Sequence, residues 1–310
     1  MEHNITRTLI VGVPRSGSSW VGEILGTTSG AVLVHEPDNP VCNPQAWRLR
    51  ERCGWFPVFH PGEAAPEYRQ VWDLAFAGGW PLQRPAIGAG KALKRLPPRL
   101  RHAVLRPLAA STRRLRSSPQ HVVVKSVYAT FALEWLVSRY DPHVVVIQRN
   151  PLNVISSWMD LEMPLGDLAT SPRVRTEYVE RRGLPPPPRD ARPLLQIAWG
   201  VGLQMAVLEQ EARRHPEWVR VRHEDLCLDP AARFPELASR AALTWSSAAQ
   251  QQLNGSQTTG TGYGTRRIAA DLPEKWRGWY SAADRRAVMT VLERFDDLQS
   301  LLPKATPALA

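Results

Sequence analysis

TLIVGVPRSGSSW, the stretch Thr8–Trp20, contains the pattern that decides the fold of this chain. Its apolar first half predicts a buried strand, and its second half opens a helix predicted over Ser18–Thr28. The loop between them contains Gly12 and Gly17. A strand that leads through a glycine loop into a helix N-terminus is typical of an anion site, because the first N–H groups of a helix have no intrahelical acceptor.

The spacing of the glycines refines this interpretation. Gly12-x4-Gly17 is the spacing of the phosphate-binding P-loop, but Ser18 stands where a nucleoside triphosphatase carries its Lys. A loop without that Lys favours a phosphate-containing donor other than ATP–Mg²⁺. Taken alone, the loop leaves two alternatives open. One is an atypical P-loop nucleotide kinase, and the other is a turn that binds no ligand.

A second motif lies about 130 residues further along the chain. His143–Ile147 is another continuous apolar run, followed by QRNP at 148–151 and a helix predicted over Leu152–Leu161. Arg149 therefore stands at the end of a predicted strand, and Ser157 lies on the helix after it. A planar guanidinium can donate two parallel hydrogen bonds to one phosphate. A salt-bridged surface Arg is the alternative.

With both motifs in this order, the chain resembles the sulfotransferase family, which uses 3′-phosphoadenosine 5′-phosphosulfate (PAPS) as its donor. The family's 5′-phosphosulfate loop reads P-[KR]-S-G-[ST]-[ST]-x, and residues 14–20 match it throughout. The resemblance implies that the residues contacting PAPS are Pro14, Arg15, Ser16, Gly17, Ser18, Ser19 and Trp20 in the loop, with Arg149 and Ser157 at the 3′-phosphate. It also implies that Trp20 packs on the adenine and that Lys125 reaches the sulfuryl oxygens.

The predicted catalytic base, which removes the proton of the acceptor hydroxyl, differs from the base of the cytosolic phenol and steroid sulfotransferases. Those enzymes place a catalytic His two residues after the Lys, where this chain has Val127. A His-Glu-Pro stretch instead ends the second predicted strand, and it resembles the mycobacterial trehalose-type and Golgi carbohydrate 6-O-sulfotransferases. Glu36 is the predicted base, held ionised by Arg15 and Lys125. His35 is the alternative, although adjacent strand residues face opposite ways; a purely structural Glu36 is another.

The resemblance is weaker in the rest of the donor site. His223 stands where the family has a Tyr near the adenine, in the segment 221–226 that resembles Y-E-D-L. The Gly-rich stretch Thr258–Arg267 lies where family members close over the 3′-phosphate, but it lacks their R-K-G sequence. Arg266 or Arg267 is therefore predicted as a second phosphate contact.

The alternation of apolar runs and helical patterns predicts an α/β fold, a P-loop-like three-layer arrangement with a central, mostly parallel sheet of about five strands. Strands are predicted at Thr8–Val13, Ala31–His35, His121–Lys125, His143–Gln148 and Val219–Arg222. Helices are predicted at Ser18–Thr28, Thr130–Tyr140, Leu152–Leu161, Pro193–His215, Ala231–Ala241 and Ala282–Phe295.

Two long connections interrupt this pattern within a single predicted domain, 1–310. An acceptor-side insertion covers about 37–120, and its first half is rich in Trp and Phe. These aromatic residues predict a small satellite core, or alternatively an acceptor pocket. The second connection, about 160–192, contains LPPPP at 184–188 and is predicted to be a mobile flap beside the site.

Most of the positive net charge of the chain is concentrated in one segment. The formal net charge is +10, and Lys91–Arg116 alone contains nine Lys and Arg residues and no acid. The segment is interpreted as a solvated basic face or as a surface for an anionic or lipid-linked acceptor. A non-enzymatic, basic nucleic-acid-binding protein is the remaining alternative, and it is disfavoured because the segment lacks interleaved aromatic residues and any nucleic-acid module.

Cysteine content and hydropathy bear on the cellular location. The chain has three Cys; Cys42 and Cys53 could pair, but an odd number and no framework favour reduced thiols. No apolar stretch approaches the roughly 20 residues that span a bilayer, and the early acid at the N-terminus argues against a signal peptide. A cytoplasmic location is predicted.

These observations together predict an O-sulfotransferase. The predicted reaction moves the sulfuryl group of PAPS to a hydroxyl of a carbohydrate or glycosylated small molecule, without a metal cofactor and without a nucleic-acid partner. The oligomeric state stays open, a homo-oligomer included.

Overall fold

A single parallel sheet lies at the centre of the fold. The computed structural model describes residues 5–79, 97, 100, 119–190, 192–260, 264–265 and 268–303. The strand order is β2-β3-β1-β4-β5, and every neighbouring pair is parallel. The strands are β1 (Thr6–Val11), β2 (Ala31–His35), β3 (His121–Ser126), β4 (His143–Gln148) and β5 (Val219–Arg222). The prediction of a parallel sheet of about five strands is confirmed.

Helices of the described residues cover both faces of the sheet. They are α1 (Ser18–Leu25), α2 (Ala46–Cys53), α3 (Pro66–Phe76), α4 (Leu133–Tyr140), α5 (Pro151–Asp160), α6 (Pro193–Arg214), α7 (His223–Leu228), α8 (Pro230–Arg240), α9 (Ser247–Ser256) and α10 (Ala282–Leu292). Short helical turns lie at Ala129–Ala132, Pro172–Val174, Arg175–Glu180, Ala269–Asp271, Lys275–Gly278 and Asp296–Leu298. No helix in these ranges is long and apolar enough to cross a membrane.

The alternation of side chains along each strand separates two cores. Leu9 and Val11 of β1 join the core beneath α3, α4, α5 and α6, whereas Ile10 joins the core beneath α1, α8 and α9. Val123 of β3 and Val145 of β4 lie on the same face as Ile10. The central strands are therefore apolar on both faces because both faces are covered. This arrangement brings the carboxyl ends of all strands to one edge of the sheet.

Several predicted boundaries differ from the structure. β1 begins at Thr6 and ends at Val11, because Gly12 and Val13 already belong to the loop that leaves the sheet. α1 ends at Leu25, and the hydroxyls of Thr27 and Thr28 donate to carbonyls of its last turn. The sequence did not predict α2, α3, α7 or α9. Hydrophobic periodicity gives little signal for a short helix, because such a helix buries only a few side chains.

The aromatic residues of the insertion belong to the main core. Trp72 and Phe76 of α3 are fully buried, and together with Phe56 they pack in the same cluster as Leu9 and Val124 of the sheet. The predicted satellite core is therefore wrong for these residues, since they continue the core of the sheet. Trp80 and the basic segment 91–116 lie almost wholly outside the described residues.

The connection 160–192 packs against the core and contacts the insertion. Leu168, Val174 and Tyr178 are buried. The Tyr178 hydroxyl donates to the Phe131 carbonyl (3.3 Å), and Arg173 forms an ion pair with Glu63 (2.6 Å). Any movement of this connection as a flap must break these contacts.

Candidate active site

The loop between β1 and α1 has the geometry of an anion cradle. Arg15 and Gly17 both adopt positive φ, 71° and 94°. This conformation places Arg15 where a non-glycine residue costs about 1–3 kcal/mol, and such loops turn successive N–H groups toward one point. The N–H of Ser16 donates to the Val13 carbonyl (3.0 Å) and closes the turn. The N–H groups of Ser18 and Ser19 stand in the first turn of α1, where no intrahelical acceptor exists.

Gly17 cannot be replaced without disturbing the loop. An added Cβ would lie 2.1 Å from Cδ2 of His223, which is buried against the loop. Burial and the nearby Arg149 lower the pKa of His223 well below its ordinary value, so its ring is neutral. His223 therefore forms a wall of the loop.

The two predicted phosphate sites meet in space. Nη1 of Arg149, directly after β4, donates to the carbonyl oxygen of Arg15 (2.6 Å). Nε of Arg15 in turn donates to Oγ of Ser157 on α5 (3.0 Å). Residues more than 130 positions apart in the sequence thus form one continuous set of contacts, small enough for a single nucleotide to span.

These residues line a pocket of about 270 Å³. From the predicted donor set, the lining includes Arg15, Gly17, Ser18, Ser19, Trp20, Arg149, Ser157 and His223. Pro14 and Ser16 support the loop from behind it. The Pro14 carbonyl accepts a hydrogen bond from Nε1 of Trp158 (2.7 Å), and Ser16 is fully buried. Arg266 and Arg267 lie outside the described residues.

Trp20 is more enclosed than the sequence indicated. Its side chain is 7% exposed, and its Nε1 donates to Oγ of Ser256 on α9 (2.8 Å). Its ring packs edge-on against Phe234 (4.8 Å) and His223 (5.9 Å). Only a small part of the indole therefore faces the pocket.

The structure adds lining residues that the sequence reasoning missed. Asn153 lies one turn before Ser157 on α5, a spacing that could have identified it. Its side chain donates to the Pro273 carbonyl (2.8 Å) and accepts from the N–H of Trp276 (3.0 Å). These bonds anchor the segment that brings Lys275 to the pocket. No local pattern marks Lys275, because only this long-range anchoring places it there.

A buried ion pair stands at the ends of β2 and β3, beside the loop. Nζ of Lys125 donates to Oε1 of Glu36, and the N–H of Glu36 donates to the Lys125 carbonyl (2.7 Å). Lys125 is buried, and the side chain of Glu36 is 12% exposed. Gly22 of α1 packs against Lys125, since an added Cβ there would lie 3.4 Å from Cβ of Lys125. Among the described residues, the lining of the pocket includes neither this pair nor His35.

The backbone at Glu36 brings two candidate bases together. Glu36 has φ of 47°, so the alternation of the strand ends there. Nε2 of His35 consequently lies 3.8 Å from Oε1 of Glu36. The expectation that adjacent strand residues face opposite ways is wrong at this position, because Glu36 has left the extended conformation.

The protonation states of the two candidates follow from their surroundings. Burial opposes the ionisation of Glu36, but the charges of Lys125 and His35 and the hydrogen bonds from Lys125 and Asn39 outweigh it and lower its pKa to about 2. Burial and the positive charge of Lys125 lower the pKa of His35 to about 4, against the opposing effect of Glu36. At neutral pH the site therefore contains a carboxylate, an ammonium and a neutral imidazole.

The turn after Glu36 holds its carboxylate in place. Nδ2 of Asn39 donates to Oε2 of Glu36, while Oδ1 of Asn39 accepts from the N–H of Val41 (3.0 Å). Sγ of Cys42 lies 3.8 Å from the same Oε2. The three cysteines of the chain, Cys42 among them, are free thiols in the structure.

A second buried carboxyl stabilises the neighbouring strand end. Oδ2 of Asp38 accepts a hydrogen bond from the hydroxyl of Ser126 (2.7 Å), and that hydroxyl also accepts from the N–H of Tyr128 (3.1 Å). Burial raises the pKa of Asp38 to about 6, although the charge of Arg50 and the bond from Ser126 oppose this rise. Asp38 thereby links the turn carrying Glu36 to the strand carrying Lys125.

Several solved protein structures are similar to this chain. No curated protein sequence matches the chain significantly. Among solved structures, the sulfotransferase domain from the Synechococcus PCC 7002 olefin synthase is 16% identical, with a TM-score of 0.47 over 95% of this chain and 96% of that one. The sulfotransferase domain from the curacin biosynthetic pathway is 16% identical, with a TM-score of 0.47 over 94% and 99%.

Mouse sulfotransferase SULT7A1, solved in complex with PAP, is 10% identical, with a TM-score of 0.45 over 94% of this chain and 84% of that one. The decisive match is to a family rather than to one protein. The family model for the sulfotransferase domain matches residues 6–182, which contain the loop, Glu36, Lys125 and Arg149. With more than half of its length covered by that match, the chain belongs to the sulfotransferase domain family.

Proposed function

We propose that this sulfotransferase moves the sulfuryl group of PAPS to a hydroxyl group of a carbohydrate or glycosylated small molecule, with Glu36 as the base. The observation that carries the proposal is the Lys125–Glu36 pair at the sheet edge, beside the loop of Arg15 and Gly17. This pair supports the proposal because it offers a carboxylate and an ammonium next to the strand that leads into the anion loop.

The residues that line the pocket fit the charges of the proposed donor. Arg15, Arg149 and Lys275 offer cations to the pocket, and the first turn of α1 offers N–H groups. A nucleotide with a 3′-phosphate and a 5′-phosphosulfate carries two anionic groups, which such a lining can bind. In the reaction, the bond between sulfur and the bridging phosphate oxygen breaks, a bond between sulfur and the acceptor oxygen forms, and 3′-phosphoadenosine 5′-phosphate leaves.

Glu36 is the proposed base because it is an ionised carboxylate at the carboxyl edge of the sheet, where α/β enzymes bind their ligands. Lys125 is its counter-ion in the structure. We propose that Lys125 turns toward the sulfuryl oxygens when the donor binds, which removes the main charge that lowers the Glu36 pKa. The carboxylate then becomes a stronger base for the acceptor proton. His35 is the alternative base, since its neutral imidazole is equally close to the site.

Two partly buried aromatic rings support a sugar acceptor. The rings of Trp55 and Tyr128 lie 5.6 Å apart, and the Arg50 guanidinium stacks on both, at 4.3 and 4.0 Å from their centres. This stacking holds the rings rigid close to Glu36, whose charge contributes to raising the pKa of the Tyr128 phenol after the larger effect of burial. Rigid aromatic faces bind the apolar faces of sugar rings well.

An acceptor screen with labelled PAPS tests the proposal. Sugars and glycosides should be labelled in preference to simple phenols and steroids, and Trp55→Ala should raise the acceptor KM with little change in the donor KM. Trp245→Ala, on the opposite face of the sheet, is the matched control. Labelling of phenols alone would contradict the proposed acceptor class.

Calorimetric titration tests the donor separately. The protein should bind 3′-phosphoadenosine 5′-phosphate more tightly than ATP–Mg²⁺ or duplex DNA. Preference for ATP–Mg²⁺ would favour the kinase alternative, and preference for DNA would favour the nucleic-acid alternative. The cytoplasmic location stays a prediction from the sequence, and the oligomeric state stays open.

A further inference from the structure

We propose that His35, Glu36 and Cys42 form a binding site for a thiophilic divalent cation of the zinc class, and that such a cation blocks sulfuryl transfer. The site itself is inferred from geometry alone. The inhibition also rests on the proposed role of Glu36 as the base.

The spacing of the three ligand atoms carries the proposal. Nε2 of His35 lies 3.8 Å from Oε1 of Glu36, and Sγ of Cys42 lies 3.8 Å from Oε2. One ligand atom from each residue can be chosen so that all three lie within 4.8 Å of one another. Tetrahedral zinc, with bonds of roughly 2.0–2.3 Å, separates neighbouring ligand atoms by about 3.3–3.8 Å. Small side-chain rotations are therefore enough to close the site.

The backbone holds these ligands in place before any cation arrives. The positive φ of Glu36 turns its side chain to the same side as His35. The N–H groups of Cys42 and Asn43 both donate to the Asn39 carbonyl (3.0 and 2.7 Å), and this tight turn returns Cys42 to the carboxylate. Nδ2 of Asn43 fixes the turn by donating to the Pro37 carbonyl (2.7 Å).

The chemistry of the donor set selects the class of cation. Imidazole nitrogen, thiolate sulfur and carboxylate oxygen are the ligands that zinc accepts, whereas magnesium and calcium prefer oxygen alone. Three protein ligands leave one tetrahedral position for water. The side chains of His35 and Glu36 are 25% and 12% exposed, so part of each faces solvent.

Binding has a defined balance of charge. The thiol of Cys42 gives its proton to solvent as the sulfur–metal bond forms, and the cation shares the Glu36 carboxylate with Lys125, so the buried ammonium keeps its counter-charge. No electron is transferred. A carboxylate that ligates a cation no longer accepts the proton of an acceptor hydroxyl, so the occupied enzyme should bind its donor but turn over slowly.

Cobalt(II) is the spectroscopic probe for this site. The full chain, stripped of metal with a chelator and then desalted, should bind a single Co²⁺ with a thiolate-to-cobalt charge-transfer band. Cys42→Ser should lose the band and weaken binding by more than the roughly 10–100-fold that loss of an outer-shell partner costs. His35→Ala should weaken binding similarly but keep the band. Cys53→Ser, a free thiol outside the cluster, is the matched control and should behave like the wild type.

Two results would overturn the site: Co²⁺ binding without the thiolate band, or equal affinity of Cys42→Ser and the wild type for Co²⁺.

Inhibition of sulfuryl transfer is measured separately. Zn²⁺ should lower kcat for the wild type and Cys53→Ser, reversibly with chelator, and Mg²⁺ should not. If the cobalt band appears but Zn²⁺ leaves kcat unchanged, the proposed inhibition is wrong, and so is the role of Glu36 as the base on which it rests. Because cobalt is titrated without donor or acceptor, the site stands or fails independently of the reaction.

Discussion

Lys125 donates a hydrogen bond from its ammonium to Oε1 of Glu36, across the carboxyl ends of two paired strands. Neither group is widely exposed, so each is the main counter-charge of the other. Removing one partner of a buried pair leaves an uncompensated charge, which costs several kcal/mol. Breaking the pair therefore costs free energy, and the proposed contact of Lys125 with a sulfuryl group requires the pair to open.

The Glu36→Gln variant tests the base. It should keep the shape of the site and the affinity for 3′-phosphoadenosine 5′-phosphate but lower kcat by roughly 10²–10⁴-fold. Since the pKa of Glu36 is lowered to about 2 in the free protein, its carboxylate should stay active in kcat/KM well below pH 4. Near-normal turnover at an unchanged Tm, with severe loss in His35→Ala, would transfer the role to His35.

Asn39 is predicted to be a positioning residue for Glu36. Asn39→Ala removes one hydrogen bond to a charged group and should lower kcat by roughly 10–100-fold, with the donor KM unchanged. The same bond lowers the pKa of Glu36, so the acidic limb of the kcat profile should move to higher pH in the variant. Asn254→Ala, on the exposed side of α9, is the control. An unshifted pH profile would argue for a purely structural role.

Arg149 is predicted to recognise the 3′-phosphate. Arg149→Ala should weaken donor binding by about 2–5 kcal/mol and abolish discrimination between nucleotides with and without the 3′-phosphate. Arg149→Lys should recover only part of the loss, because an ammonium cannot bond bidentately. Calorimetric titration with both nucleotides is the measurement, and the exposed Arg139→Ala is the control. Retained discrimination in Arg149→Ala would refute the assignment.

The contact between Gly17 and His223 predicts a partial rescue. Gly17→Ala should lower donor affinity and Tm, because its Cβ would lie 2.1 Å from the His223 ring and its φ is 94°. Adding His223→Ala removes the clash but leaves the backbone strain, about 1–2 kcal/mol. The double variant should therefore recover part of the lost Tm. Simple addition of the two single effects would show that the residues do not interact.

Because of Asp38, the free energy of unfolding should fall as the pH rises from about 4 to about 6. Its pKa is raised from 3.8 to about 6, so the folded protein binds more protons than the unfolded chain in that window. The effect is on the order of 3 kcal/mol. Asp38→Asn lacks this ionisation, and urea unfolding between pH 4 and pH 7 should show a less negative slope of unfolding free energy against pH. Equal slopes would contradict the raised pKa.

Local patterns in the sequence were sufficient for the parallel sheet, the anion loop and the residues that follow single strands. The resemblance to the sulfotransferase family pointed to Arg15, Lys125 and Arg149, and each follows an apolar run whose end parallel strands bring to one edge of the sheet. That information extends over only a few neighbouring positions. It does not reach residues whose place depends on contacts between distant segments.

The tertiary structure alone decided the rest. Lys275 lines the pocket because Asn153, more than 120 positions earlier, anchors its segment. His35 and Glu36 share one side because the latter residue adopts φ of 47°, which no period-2 pattern indicates. Cys42 joins them through a turn closed by backbone bonds. A side chain's direction at the end of a strand depends on one dihedral angle, and the packing and hydrogen bonds of the folded chain determine that angle.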